Sequence, residues 1–214
     1  MKRYFHSELE EIRSKLVLIC EKASKAGSTA VDSFLTSNID LAQEAFDMDD
    51  EIDELEGQID RESVRYITLR SPVSTDVRLT LVAIKASRNL ERAGDEAHSI
   101  AKNTRNILKR DGIIKETAEI GDMSVIAFEM MNDAIASLIE EDAEKAYTVI
   151  KRDKAVDRLH KSNFQTLVSS ANGDTESNTT CVETILISKS IERIGDHAKN
   201  LAEDVIYLLT GEEV

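Results

Sequence analysis

Phe5, Leu9, Ile12, Leu16, Ile19, Ala23, Ala26 and Ala30 follow one another at alternating steps of four and three. That spacing is a heptad seam, and it predicts one long amphipathic helix. The helix should end near Thr36-Ser37-Asn38, where polar side chains can also cap the next one. Leu41, Ala45, Met48, Ile52, Leu55, Ile59, Tyr66 and Leu69 continue the rhythm, interrupted at Glu62. Ser71-Pro72 breaks this second helix, because proline restricts the residue before it and has no N–H to donate. Ser74 or Thr75 is the expected cap of a third helix, with Val77, Leu81, Ile84, Leu90, Ala97, Ile100 and Ile107 on its apolar side. Arg110-Asp111-Gly112 carries a C-terminal glycine signal.

The second half follows the same plan. Ile120, Ala127, Met131, Ala134 and Leu138 mark a fourth helix, with a break near Glu141-Asp142. Ala146, Val149, Val156, Leu159 and Leu167 mark a fifth, and Ser170-Ala171-Asn172-Gly173-Asp174 reads as a loop. Ile185, Ile191, Gly195, Ala198, Ala202, Val205, Ile206 and Leu209 mark a sixth, ended by Gly211. Helices of roughly 30 residues would be about 45 Å long. Short connections make neighbours antiparallel. The expected fold is therefore all-α, with two pseudo-symmetric antiparallel three-helix bundles at residues 1–112 and 113–214.

An internal repeat supports the division. Glu91-Arg92-Ala93-Gly94-Asp95 recurs as Glu192-Arg193-Ile194-Gly195-Asp196, an offset of 192 − 91 = 101 residues. From Glu91 to Asn103, six of thirteen positions are identical in the two copies. A repeat of half the chain length implies two copies of one structural unit, so a site built on this stretch should occur twice. Gly94 and Gly195 fall mid-helix, where glycine costs ~1 kcal/mol against alanine. Close helix packing or a crowded site explains such a glycine.

Composition narrows the function. The net charge of −14 repels phosphate backbones and anionic membrane surfaces. Aromatic residues are 4% with no Trp, which leaves no platform for stacking bases. Acidity favours metal cations and basic partner surfaces, although acidity also serves solubility. Cys20 and Cys181 lie in apolar helical runs and are expected to be buried free thiols of a reducing compartment. The start, Met1-Lys2-Arg3-Tyr4-Phe5-His6, lacks an apolar core and is not expected to be a signal peptide, and no run spans a membrane. These features together predict a cytoplasmic protein.

Carboxylates supply the candidate chemistry. Glu91 and Asp95 share a helix face, as do Glu192 and Asp196. The preceding helices carry Asp49 with Asp53, and Asp153 with Asp157, at an offset of 153 − 49 = 104. With 41 acidic residues in 214, chance alone gives roughly eight acidic pairs at that spacing. A single pair is ordinarily a solvated face. What points beyond that is that both pairs recur together in both halves. Two like charges ~4 Å apart repel by about 4 kcal/mol at an effective dielectric near 20. Four converging carboxylates must therefore splay into water, take up protons or bind cations. Oxygen donors suit Mg²⁺, Mn²⁺ or Ca²⁺, and carboxylates also hold iron or zinc. His98 and His197 do not make the Glu-x-x-His pairing of ferritin-like di-iron bundles and are expected at the surface. Arg92 and Arg193 are expected to pair with neighbouring acids.

At these residues the chain resembles the PhoU family, accessory and regulatory proteins of the bacterial phosphate-specific transport system. The resemblance rests on the two Glu-Arg-x-Gly-Asp copies, the two Asp-x-x-x-Asp segments and Pro72-Val73-Ser74-Thr75-Asp76-Val77-Arg78. It implies two pseudo-symmetric three-helix bundles. It implies metal at Glu91 and Asp95 and at Glu192 and Asp196, with Asp49, Asp53, Asp153 and Asp157 as partners from the preceding helices. Many members carry Asn four residues after the motif Asp; Asn200 matches, and Ser99 stands there in the first half. The resemblance further implies a homodimer that negatively regulates the phosphate-starvation response and phosphate uptake. It would link the transporter's ATPase subunit to a sensor histidine kinase, peripheral to the inner face of the cell membrane through those partners. A non-enzymatic adaptor is thus expected. The competing expectation is a metal-dependent hydrolytic or redox enzyme using the carboxylate clusters.

Overall fold

A computed structural model describes residues 3–114, 117–171 and 175–213, with the side chains of residues 3–6, 74 and 75 excepted. Seven helices run in chain order: α1 (Arg3–Leu35), α2 (Ile39–Asp47), α3 (Asp49–Arg70), α4 (Ser74–Asp111), α5 (Ile120–Glu140), α6 (Ala143–Ser170) and α7 (Thr175–Thr210). There is no strand among the described residues. Six of these helices were expected. The seventh arises because the second predicted helix is interrupted at Met48, whose N–H reaches back to Ala45 O at 3.4 Å in a tightened last turn. Asp49 therefore opens α3, and Asp49, Asp50 and Glu51 in its first turn complement the helix dipole.

The predicted boundaries hold elsewhere for identifiable local reasons. Asn38 Oδ1 accepts from Asp40 N at 3.0 Å and Leu41 N at 3.2 Å. Asp142 Oδ1 accepts from Lys145 N at 3.0 Å. Gly112 and Gly211 have φ of 72° and 81° and return their N–H groups to Leu108 O and Tyr207 O. Before α4, the N-cap position is Val73, which makes no side-chain cap. The capping side chains expected there, Ser74 and Thr75, lie outside the described ones, as do Phe5 of the first seam and Asn172, Gly173 and Asp174 of the loop.

The first seam is buried from Leu9 to Ala30, and so are Ile120, Ala127, Met131, Ala134 and Leu138. Two expected core residues are exposed, Leu69 at 60% and Leu81 at 45%, and Leu41, Met48, Val77, Ile84, Leu159, Ile185 and Leu209 are only half-buried. Leu69 sits in the last turn of α3 and Leu81 on the outer side of α4, where no further helix covers them.

α1, α2, α3 and α4 pack on one another, and α5, α6 and α7 do the same. The halves meet along α4–α7 and α1–α5. Both pairs are antiparallel. Lys85 faces Asp204, Glu96 faces Arg193 and Arg110 faces Glu183. On the other seam, Arg13 donates to Leu138 O and Ser24 to Asn132. A single apolar core runs through both halves. Gly27 on α1 makes the close approach possible, since a Cβ there would lie 2.6 Å from the Phe128 ring of α5.

Candidate functional site

The packing of α3 on α4, and of α6 on α7, sets the two acidic sets facing each other. In the first half, burial raises the carboxyls of Asp49, Asp53 and Glu91 above their ordinary range. Mutual repulsion adds to the rise: Asp95 acts on all three, Asp53 on Asp49 and on Glu91, and Glu56 on Glu91. In the second half, burial raises Asp196, and Glu192, Asp153 and Asp157 push the same way. The eight motif carboxylates thus form two sets, each spanning two helices. Asn200 is exposed and lines a groove of about 340 Å³ between α4 and α7, beside Arg88, Asn89 and Arg92.

The two sets differ in how their charge is met. In the first, His98 Nδ1 stands 3.2 Å from Asp49 Oδ2 but is not aligned as a hydrogen-bond donor. The other oxygen, Asp49 Oδ1, is buried without a partner. In the second, Lys199 Nζ donates to Asp153 Oδ2 at 3.2 Å, and Lys189 Nζ to Glu192 Oε2 at 2.5 Å. Asp153 is only 7% exposed.

Oxygen donors and an orphaned buried oxygen suit a hard cation at the first set. The second set has much of its charge already compensated. As the side chains stand, no three His, Cys, Asp or Glu groups among the described residues converge in a metal-holding arrangement. A cation at the first set would require the carboxylates of α3 and α4 to turn towards one another.

Both flagged histidines depart from the surface placement expected of them. His98 is half-buried, its ring 3.8 Å from that of Phe46 at 39°, with the Arg105 guanidinium 4.7 Å above Phe46. His197 is half-buried at the α4–α7 seam, where burial lowers its pKa, Arg92 and Arg193 act the same way and Glu96 and Asp95 oppose them. Of the two arginines, one pairs with an acid as expected. Arg193 reaches across the seam to Glu96 Oε1 at 2.9 Å. Arg92 is exposed on the groove wall. The residue at the place of Glu96 in the second copy is His197, so Arg92 has no matching carboxylate there.

His160 was not anticipated. It lies three residues after Asp157, where the first half has Glu56. Its Nδ1 is 2.9 Å from Ser188 Oγ, burial lowers its pKa, and Glu192 opposes that shift. The spacing Asp157-x-x-His160 places both on one helix face, and that spacing was the available signal.

Among the described residues, no helix is long and apolar enough to cross a membrane. The family model described as PhoU domain matches residues 16–104 and again 120–205. The phosphate-specific transport system accessory protein PhoU homolog of Pseudomonas aeruginosa is 33% identical over 210 residues, 98% of this chain and 87% of that one. The homolog of the same description from Clostridium acetobutylicum is 31% identical over 216 residues, covering 100% of this chain and 97% of its own. The crystal structure of PhoU from Pseudomonas aeruginosa superposes with a TM-score of 0.92 at 34% identity, over 97% of this chain and 100% of that one. A Streptococcus pneumoniae regulatory protein of the same name gives 0.89 at 23% identity, over 98% and 99%, which speaks to the fold alone.

Proposed function

The chain belongs to the PhoU family, and from that premise we propose that it is a non-enzymatic accessory protein of a phosphate-specific transport system. In this reading it is a cytoplasmic homodimer, with residues 1–112 and 113–214 as its repeat units. It restrains phosphate uptake and the phosphate-starvation response by joining the transporter's ATPase subunit to a sensor histidine kinase, peripherally at the inner membrane face. The kinase is held inactive when phosphate is plentiful. The observation that carries the reading is that the family match occurs twice and spans nearly all of the chain, with relatives named as transport accessory proteins.

The acidic sets supply a place for a cation within that role. Asp49, Asp53, Glu91 and Asp95 would hold a hard divalent ion, which neutralises repulsion and ties α3 to α4. No bond-breaking chemistry is needed for this. The direct test is affinity capture of the full chain from cells grown in high phosphate. Co-purification of both the transporter ATPase and the histidine kinase is expected, and absence of both would sink the adaptor reading.

One observation favours a second reading. His160 beside Glu192 and Asp157 gives the second set a histidine that a metal-dependent hydrolase could use as a base. Phosphoesterase activity that disappears in His160→Gln while the fold persists would establish it. Its absence in the unaltered protein leaves the adaptor.

A further inference from the structure

Aligning the repeats places Asp49 on Asp153, Glu91 on Glu192, His98 on Lys199 and Arg88 on Lys189. The same contact is then made twice with different chemistry. A nitrogen lies 3.2 Å from an aspartate Oδ2 in both halves, but it belongs to an unaligned imidazole in the first and to a hydrogen-bonded ammonium in the second. The second difference runs the same way. Lys189 is hydrogen-bonded to Glu192, whereas its counterpart Arg88 is exposed on the groove wall.

We propose that Lys199 and Lys189 serve as the built-in cations of the second acidic set, so that a divalent ion binds this chain at the first set alone. The second set has four carboxylates and two ammonium groups, a net charge of −4 + 2 = −2. The first has four carboxylates and no ammonium group, only the His98 imidazole beside Asp49. An incoming ion therefore meets less attraction at the second set, where two ammoniums oppose it. It must also displace two ammoniums from carboxylates shielded from water: the side chains of Asp153 and Glu192 are 10% and 14% exposed. At the first set the buried Asp49 Oδ1 is still without a partner. This inference rests on reading the acidic sets as cation sites, and it divides them where the repeat alone would treat them alike.

Mn²⁺ uptake by the chelator-stripped full chain, counted from the electron paramagnetic resonance signal of free Mn²⁺, tests it. Four proteins are compared: the parent, E91Q/D95N, E192Q/D196N and K189M/K199M. Circular dichroism melts confirm that each is folded, and K189Q/K199Q replaces the methionine pair if that one is not. Three results are expected: E192Q/D196N keeps the parent's stoichiometry, E91Q/D95N loses the ion, and the lysine-free protein gains roughly one further Mn²⁺ per chain. Loss of Mn²⁺ in E192Q/D196N, or no gain in the lysine-free variant, overturns the proposal. A parent that takes up no Mn²⁺ overturns it as well, whatever the lysine-free protein gains. Neither result bears on co-purification with partners, which tests the adaptor role separately.

Discussion

Gly94 on α4 lies so close to Ile52 on α3 that a Cβ added to it would sit 2.9 Å from Ile52 Cδ1 and 3.1 Å from Cγ2. The repeat-equivalent pair is Gly195 and Val156, and there the nearest approach is an ordinary 3.4 Å. The approach is closer at Gly94 even for the branch methyl that valine shares, and Ile52 adds Cδ1 to it. Gly94→Ala gains helix propensity but forces a β-branched neighbour aside, and overpacking costs about 1–3 kcal/mol. Gly195→Ala gains up to about 1 kcal/mol with little opposing strain. Urea denaturation should show the first variant less stable than the parent and the second more stable. Equal shifts in the two would remove the packing argument.

Asn163 is fully buried and satisfied. Its Oδ1 accepts from Glu119 N at 2.8 Å, and its Nδ2 donates to Ser188 Oγ at 3.3 Å and to Met123 Sδ at 3.6 Å. Asn163→Leu leaves the Glu119 N–H and Ser188 without this partner. The expected loss is about 1–3 kcal/mol, read as a lower urea midpoint with an unchanged slope.

Burial pushes the Asp204 carboxyl up to about 6, with Lys85 Nζ 3.8 Å away opposing the rise and Glu203 adding to it. The folded value lies above the unfolded one of about 3.9. Between those values the native state holds its proton more tightly, so this group's contribution to stability falls as pH rises from 4 to 6. Asp204→Asn should be more stable than the parent by on the order of 1–2 kcal/mol above pH 6. The gap should close near pH 4. A gap independent of pH would assign the effect to packing.

The Glu96–Arg193 pair joins α4 to α7, but the arginine side chain is 54% exposed. Solvent screening limits such a pair to about 0.2–1 kcal/mol. A double-mutant cycle with E96Q and R193Q should return a coupling in that range that shrinks in high salt. A larger coupling would mean that the seam depends on this pair more than on its apolar contacts.

Much of the fold was legible because helix periodicity and caps are local. The Leu9-to-Ala30 seam, the Asn38 and Asp142 caps and the Gly112 and Gly211 stops depend on residues within a turn of each other. The interruption at Met48 was not legible. Asp47, Asp49 and Asp50 continue a helical pattern on paper, and only packing against α1 and α4 turns the chain there.

The site divides in the same way. Repetition in the sequence determined that Asp49, Asp53, Glu91 and Asp95 have counterparts in Asp153, Asp157, Glu192 and Asp196, since a duplicated motif needs no coordinates to be seen. Only the tertiary structure decided what meets each carboxylate: an imidazole under Phe46 in one half, two ammonium groups in the other, and His160 where the first half has Glu56. Lysine stems are long, and the partner an ammonium finds depends on the approach of a second helix. Charge compensation between helices is a property of distance in space, and linear spacing along one helix carries no record of it.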